Sequence, residues 1–585
     1  PAMIANLLLA ATLAAAAHFD FVAAAIDDAV YANVSGDADQ LAILEQNGQG
    51  VCAFDADGDG LLDLYFPNGS ARARLANGDS PGGALLRNRG SRAFENVTDR
   101  AGLRGPAWAT GCTAADYDAD GWTDLLVLGW RDSRLYRNQG DGRFEDVSRF
   151  AGVDVPGWAS SAAFADLDGD GLLDVAVSRY VSFDFGAFPT KDRAGRACDY
   201  RGVPAGCPPL LHEPQSTLVF RQHPGGRFEP AAASAGLASP TRGFGILALP
   251  LFAASSRPDL YVACDQMENR LFLNRSTAEA LRFEEAAGPM GAAVGADGRP
   301  ESGMGLAVGD VWEDGRPDLF LTNFAGEKNT LYRNLGSSFV DATSGTGLDG
   351  HRSELGWGNA LADLDADSHL DALVVNGHIY PQVERLEDPA DRYAQPIRLY
   401  AGDGAGGFQE VTPPPFAERR SRRGLAVADF DDDGRLDLVA QTHRGPPQIF
   451  WNRSAPEHHW IRFRLDAARG APAIGAKLVV ELPDGSRRTA WNIPNQGYQS
   501  SHDPRVTFGL GRMSSIRSLE ILWPDGTVDR RASLAADADY VVARARAPEA
   551  ARDAGETIVQ MPGSARGSRI PSPVAGRARN EVAER

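Results

Sequence analysis

The sequence predicts an all-β chain, a seven-bladed β-propeller followed by a small β-sandwich-like domain. Three observations predict it. An acidic motif recurs seven times, complete or eroded. Each copy sits in a unit of roughly 50 to 65 residues that reads as four short strands, the pattern of a propeller blade. The 585 residues also include 64 glycines and 36 prolines, the punctuation of many tight turns.

In chain order, the first element is a short apolar run, MIANLLLAATLAAAA at 3–17. It has the size of a signal-peptide core and is too short to span a bilayer, so residues 1–20 are read as a signal segment. No other apolar run approaches membrane-spanning length, and no transmembrane segment is expected. The propeller is assigned to 21–456. Its complete motifs are FDADGDGLLDLY at 54–65, DYDADGWTDLLV at 116–127, DLDGDGLLDVAV at 166–177 and DFDDDGRLDLVA at 429–440. DLDADSHLDALV at 363–374 keeps every acid but places Ser368 where the others have glycine. DVWEDGRPDLFL at 310–321 loses one acid to Trp312, and SRPDLYVA at 256–263 keeps only Asp259. A second signature follows the acids: LYRN at 135–138 and 331–334, LFLN at 271–274 and IFWN at 449–452. A Gly-rich turn and a phenylalanine come next, as in GDGRFEDV and GAGGFQEV. An insertion around 183–214 lengthens one interval.

The formal net charge of −20 argues against a nucleic-acid partner, which needs clustered Lys and Arg. The acids are concentrated in the motif D-x-D-x-D-G-x-x-D, at loop positions one, three, five and nine. Alternate side chains of a tight loop converge on one point, and a glycine after the third acid permits the sharp turn. Such carboxylates repel one another unless a hard cation with six to eight oxygen ligands sits between them, and calcium suits flexible all-oxygen loops. About five calcium sites are therefore expected. Their ligands are Asp55, Asp57, Asp59 and Asp63; Asp116, Asp118, Asp120 and Asp124; Asp166, Asp168, Asp170 and Asp174; Asp363, Asp365, Asp367 and Asp371; and Asp429, Asp431, Asp433 and Asp437. Asp310, Asp314 and Asp318 make a weaker sixth, and the Asp259 blade is read as metal-free. A solvated Asx-rich turn explains one such loop, but five in register are harder to explain that way. An EF-hand fails because the last acid is at nine and not twelve, and strand-like runs flank the loop.

Cys198 and Cys207 bracket a turn-rich loop that suits a local disulfide and an oxidising compartment. Cys52, Cys112 and Cys264 lie in or beside apolar strand-like runs and are read as buried thiols. No C-x-x-C pair supports zinc or redox chemistry. The second domain is assigned to 457–545, with Trp491, Tyr498 and His502 as candidate contacts. Residues 546–585, rich in Ala, Arg, Gly, Pro and Ser, read as a disordered tail.

The acidic loops resemble the FG-GAP/VCBS repeats of integrin α-like propellers. The segment after them resembles the ASPIC/UnbV domain, on GAKLVVELPDG at 475–485, QGYQSSHDPRVTFGLG at 496–511 and ILWPDG at 521–526. The two together are similar in layout to the cartilage acidic protein 1-like family, over about residues 40–543. NGHIYP at 376–381 and CDYRGVPAGCPP at 198–209 also resemble family motifs. The resemblance implies calcium binding and an extracytoplasmic setting, secreted or periplasmic, and says little about activity. Ser368, Trp312 and the eroded fourth motif depart from the pattern.

If the strand before each acidic loop is innermost, the position five residues after each ninth-position Asp lies at the opposite rim. Those positions are Asn68, Gly129, Arg179, Cys264, Asn323, Asn376 and Thr442, with His378 and His443 beside them. Loops entering the inner strands add Trp108, Trp158, Trp357, Glu301, Glu354, Arg422 and Arg423. Asn323, Asn376, His378, His443, Arg179 and Trp357 are the candidate ligand residues, a mixture suited to an extracellular glycan or protein. Asn-Gly pairs at 68–69 and 376–377 equally suit plain hairpin turns. A monomeric binding module is favoured. The alternative is an enzyme at the propeller mouth, a polysaccharide lyase or hydrolase using His378 or His443 as base and Glu301 or Glu354 as acid. A metal-dependent oxidoreductase with copper on the two histidines is a third reading.

Overall fold

A computed structural model describes residues 19–231, 233–255, 257–388, 391–466, 473–543 and 558–560. The expected signal-peptide core, 3–17, lies outside them. Among the described residues no helix is long and apolar enough to cross a membrane.

The chain is all-β, and seven four-stranded antiparallel sheets form the propeller. Blade 2 shows the pattern: Ala109–Ala115, Asp124–Gly129, Arg134–Asn138 and Phe144–Asp146, in that order from the axis outward. Its first two strands are buried throughout and read as small or apolar runs, while in its last strand only Phe144 is buried and Glu145 and Asp146 are exposed. Inner strands are rich in Ala, Gly, Ser and Thr because seven of them converge on one axis. At Gly50 a Cβ would lie 1.8 Å from the Gln499 carbonyl oxygen, so no larger residue fits there. One apolar cluster lies between each pair of consecutive blades, for example Val127, Tyr136 and Leu103 between blades 1 and 2. The closing cluster, between blades 7 and 1, includes Phe430, Trp451, Leu64 and Phe66.

Blade 7 is built from both ends of the propeller. Arg422–Ala428, Asp437–Thr442 and Gln448–Asn452 supply three strands, and Phe21–Ala25 supplies the fourth, with Phe21 opposite Asn452 and Ala25 opposite Gln448. This closure was not visible as a motif, because FVAAA carries none of the acidic marks.

Two disulfides are present. Cys198–Cys207 closes the expected loop. Cys52 and Cys112, expected as thiols, are instead bonded to each other. They occupy facing inner strands of blades 1 and 2, where the Cα atoms approach to 6.1 Å, within disulfide reach. Sixty residues of separation hid that proximity. Cys264 is a buried free thiol, as expected.

The second domain packs two sheets face to face. One contains Val506–Gly511, His459–Asp466, Ala538–Ala543 and Ile558–Gln560; the other contains Arg487–Trp491, Lys477–Glu481, Ser518–Leu522 and Val528–Arg531. Phe463, Leu478, Val480, Leu519 and Ile521 fill the space between them. Within the stretch read as a disordered tail, Ile558–Gln560 pairs with Ala538–Ala543, a short β-branched run added to a sheet edge.

The loop between Arg487–Trp491 and Val506–Gly511 enters the propeller axis. Ser501 exchanges backbone hydrogen bonds with Val51 and Ala53 in blade 1. Gln499 O accepts from Cys112 N–H in blade 2, and Asn495 Nδ2 donates to Ile246 O in blade 4. Gly497 pairs with Leu306 in blade 5, and His502 Nδ1 accepts from Val427 N–H in blade 7. The loop is an axle for the ring of blades.

Candidate functional site

Each acidic loop joins the first strand of a blade to the second. The ninth-position Asp opens that second strand in all seven blades, and its carboxylate knits the loop to the third strand. Asp63 Oδ2 accepts Ala56 N–H at 2.9 Å while Oδ1 accepts Asn88 N–H at 2.7 Å. The same pair of bonds recurs at Asp124, Asp174, Asp318, Asp371 and Asp437. It also recurs at Asp259, where the rest of the motif is lost, which gives this residue a structural role without any metal.

In five loops three carboxylates converge, with one oxygen from each lying within 4.8 Å of the others. The trios are Asp55, Asp57 and Asp63; Asp116, Asp118 and Asp124; Asp166, Asp168 and Asp174; Asp363, Asp365 and Asp371; and Asp429, Asp431 and Asp437. These all-oxygen groups can hold a hard metal ion. The fifth-position acids are not members of them. Asp59, Asp120, Asp170, Asp367 and Asp433 each accept the N–H two residues on, at 2.8–3.0 Å, and brace the turn. The residue after them has positive φ, from +83° at Ser368 to +97° at Gly121. Asp310, Asp314 and Asp318 form no such trio among the described residues: Trp312 stands at the third position, and Asp314 pairs with Arg316 and Arg333.

Burial, and then the charge of neighbouring aspartates, hold several of the first- and ninth-position acids above their usual range. Asp55 and Asp166 are pushed up to about 6, Asp116 to about 7 and Asp174 to about 8. Asp363 and Asp371 are raised well above it by burial and by their own loop's acids. Arginines supply part of the missing charge. Arg87 reaches Asp57 and Asp59, Arg221 Nε lies 2.6 Å from Asp168, and Arg92 lies 2.7 Å from Asp431. Arg462, from the second domain, is buried against Asp429, Asp432 and Asp539.

Sequence reasoning missed the Asn of the LYRN signature. Asn138 Nδ2 donates to Thr123 O in its own loop and to Ala56 O in the preceding blade's loop, at 3.0 and 2.9 Å. Asn88, Asn274, Asn334 and Asn452 repeat this link, and Gln222 makes the cross-blade half. The recurrence of N after LYR and LFL was the available signal.

The opposite face differs from expectation. The candidate ring is there, but it is covered. Segment 33–49, the insertion at 183–214 and segments 377–388 and 391–395 fold over it, and Ile43, Leu44, Phe183, Ala205, Ile379 and Val383 pack on Trp108, Trp158 and Trp357. Asn323 is buried, donating to Lys328 O and Thr330 Oγ1; Asn376 is buried, donating to Pro396 O. Trp357 Nε1 donates to Gly377 O, with Arg423 4.3 Å above its ring. His378 is 0% exposed, enclosed by Tyr200, Phe324 and Tyr380, and burial lowers it to about 3. His443 is also buried, and burial followed by Arg423 holds it well below the usual range. Arg179 is half-buried, bonded to Ser216 O and Pro156 O. The two histidines are therefore neutral core groups with no access for a substrate. Tyr498 and His502, expected as contacts of the second domain, are buried in the axle.

Sequence comparison matches residues 55–127, 116–177, 310–374 and 390–440 to the FG-GAP-like repeat, and residues 467–549 to ASPIC and UnbV. The fold and these matches define an FG-GAP-repeat β-propeller carrying an ASPIC/UnbV domain. Cartilage acidic protein 1 of Homo sapiens is 27% identical over 314 residues, 51% of this chain and 43% of that protein. The Xenopus tropicalis protein of that name is 29% identical over 279 residues, 39% of this chain and 43% of its own. These matches support a cartilage acidic protein 1-like family, and the chain spans less than half the length of the curated relatives it matches. Among solved structures, an Agrocybe aegerita lectin described as recognising non-reducing terminal N-acetylglucosamine aligns with TM-score 0.38 and 13% identity, over 75% of this chain and 96% of the lectin. A Burkholderia pseudomallei lectin aligns with TM-score 0.40 and 12% identity, over 70% and 97%.

Proposed function

We propose that this protein is an exported, calcium-clamped propeller that binds a glycan or protein ligand on the face opposite its acidic loops. Calcium sits in blades 1, 2, 3, 6 and 7, the blades whose loops keep a converging trio, and not at Asp310, Asp314 and Asp318 in blade 5. The observation that carries this reading is the convergence of three carboxylates within 4.8 Å in five separate loops. Each ion neutralises acids that burial makes costly to charge, and so fixes the turn between the first two strands of its blade. Two disulfides support a secreted or periplasmic setting. The ligand surface is the covering cap and its rim, where Trp130, Phe185, Phe188 and Tyr200 are half-buried and Arg131 lies 4.3 Å over Trp130. Aromatic faces beside arginine suit sugar rings or peptide side chains.

Calorimetric melting with calcium and with a chelator tests the clamp. A ligand at 100 times its Kd contributes about 2.7 kcal/mol per site, so chelation lowers Tm by many degrees, and magnesium restores little of the loss. Identical melting in both buffers overturns the clamp. A glycan array and an affinity capture of extracellular proteins, both run in calcium, test ligand binding.

A further inference from the structure

The second domain rests on the acidic loops of blades 5, 6 and 7, and it meets each loop at the same place. The sixth loop position, which has positive φ, is Gly315 in blade 5, Ser368 in blade 6 and Gly434 in blade 7. Lys477 Nζ donates to Gly315 O at 2.7 Å, and Arg488 Nε donates to Ser368 O at 2.7 Å. The Trp460 ring covers Gly434 so closely that a Cβ there would lie 1.9 Å from its Cε2. Ser368 and Gly434 are buried, whereas Gly121 in blade 2 is exposed and Gly60 and Gly171 in blades 1 and 3 are half-buried.

In blades 6 and 7 the contacts continue to the trio acids and to the backbone between them. Gly511 N–H donates to Ala366 O and His458 Nδ1 to Asp365 O, both at 2.8 Å. A Cβ on Gly509 would lie 2.0 Å from Asp363 Oδ2, so the domain's own backbone rests on the first acid of the blade 6 trio. Arg462 bonds Asp429 Oδ2 at 2.5 Å and Asp432 Oδ1 at 2.8 Å, and Arg505 Nη2 donates to Asp429 O at 3.1 Å. Blade 5 differs. Trp312 breaks its trio, and Lys477 brings a fixed positive charge to that loop. In blades 1 and 3 the arginines on the trio acids, Arg87 and Arg221, come from the propeller itself.

We propose that the second domain is latched to the propeller by the loops of blades 6 and 7, so that its docking depends on calcium there, while blade 5 holds it without metal. Most of the latching bonds are made to backbone carbonyls, whose directions are set by the turn of the loop. Three charged carboxylates with oxygens within 4.8 Å of one another repel, and a bound cation removes that repulsion and fixes the turn. Loss of the cation opens the turn and scatters the acceptors that Gly511, His458 and Arg488 need. The trios of blades 1 to 3 stabilise their own blades only. This inference rests on the reading of the trios as calcium sites.

The test is hydrogen exchange of the full chain, read by mass spectrometry on peptides that contain the Gly511 amide. Chelation speeds their exchange about tenfold, the mark of a local opening. In saturating calcium Asp365→Asn/Asp431→Asn does the same, while the matched pair Asp57→Asn/Asp118→Asn, which removes the ions of blades 1 and 2, leaves it unchanged. Lys477→Gln speeds exchange at 475–482 equally with calcium and with chelator. Peptides covering 518–522, inside the domain, stay protected throughout. Equal protection at Gly511 in the two double variants overturns the latch. So does an equal loss in both, which is general destabilisation, or a loss at 518–522 as large as at Gly511, which is unfolding of the domain. Calcium titration of the same samples separates the two ways of failing. Bound ions with no change at Gly511 remove the latch alone, and absence of bound ions removes the calcium reading with it.

Discussion

The aspartates of the acidic loops do two jobs, and position separates them. The first and third positions, with the ninth, face a common point; the ninth also holds two backbone N–H groups, and the fifth braces its own turn. Asp259 survives in blade 4 because the ninth-position task is independent of any ion. The raised acids make a pH prediction with a definite sign. A carboxyl whose folded pKa lies above its unfolded value near 3.8 binds its proton more tightly when folded, so it favours the folded state at low pH. That contribution is lost as pH rises through the folded values, about 6 at Asp55 and Asp433, about 7 at Asp116 and about 8 at Asp174. Buried His378, His443 and His502, held low by burial, oppose this as pH falls below the unfolded histidine value near 6.5, but the raised acids outnumber them, so metal-free protein melts higher at pH 5 than at pH 8. Asp341, which Lys328 and Thr343 hold low against its own burial, loses its contribution only below about pH 4, outside that window. With saturating calcium the trend reverses, because protons compete with the ion. Thermal melts at both pH values, with chelator and with calcium, check this; a metal-free Tm that rises from pH 5 to 8 contradicts it.

At the scale of the elements, what was legible followed from repetition. Acids at fixed spacing marked the first two strands of each blade, and LYRN with the Gly-Phe turn marked the other two. Elements that carry no repeat were hidden. Phe21–Ala25 is a plain apolar strand whose partner lies more than four hundred residues away. Cys52 and Cys112 pair through blade geometry that their spacing does not express. Trp312 and Ser368 were visible departures, and they have different outcomes: the first breaks the trio, while the second keeps it at a φ of +83°, with Arg488 Nε bonded to Ser368 O at 2.7 Å. The Asn link between blades makes the prediction at this scale. Asn138→Ala leaves two carbonyls unpaired, at about 1–3 kcal/mol for each unsatisfied group, so a loss of roughly 2–6 kcal/mol is expected in urea unfolding. A loss below about 0.5 kcal/mol, the size of an ordinary surface change, contradicts the staple.

For the whole molecule, the axle and the cap decide how the parts behave together. Neither was legible, because both are loops whose partners come from other blades: QGYQSSHD reads as part of the second domain, and the insertion at 183–214 only as a longer interval between blades. The residues read as a ligand ring do lie opposite the acidic loops, but the cap turns most of them into core. Tyr498, fully buried at the axle's tip, donates to Asn47 O at 3.0 Å and packs edge-on to Trp357 at 4.7 Å. Deleting it removes a large aromatic from a packed interior, a loss of about 3–5 kcal/mol. Propeller and second domain are expected to melt in one calorimetric transition, which Tyr498→Ala moves down as a unit. Two resolved transitions in the wild type contradict the axle.

The claim on which the rest depends is that the converging aspartates hold calcium. Isothermal titration of chelator-stripped, folded protein with Ca²⁺ at pH 7.5, with elemental analysis after dialysis, measures it directly. The account predicts about five ions per chain, with Asp57→Asn, Asp118→Asn, Asp168→Asn, Asp365→Asn and Asp431→Asn each weakening one. No bound Ca²⁺ at millimolar supply, or a count unchanged by all five substitutions, contradicts it.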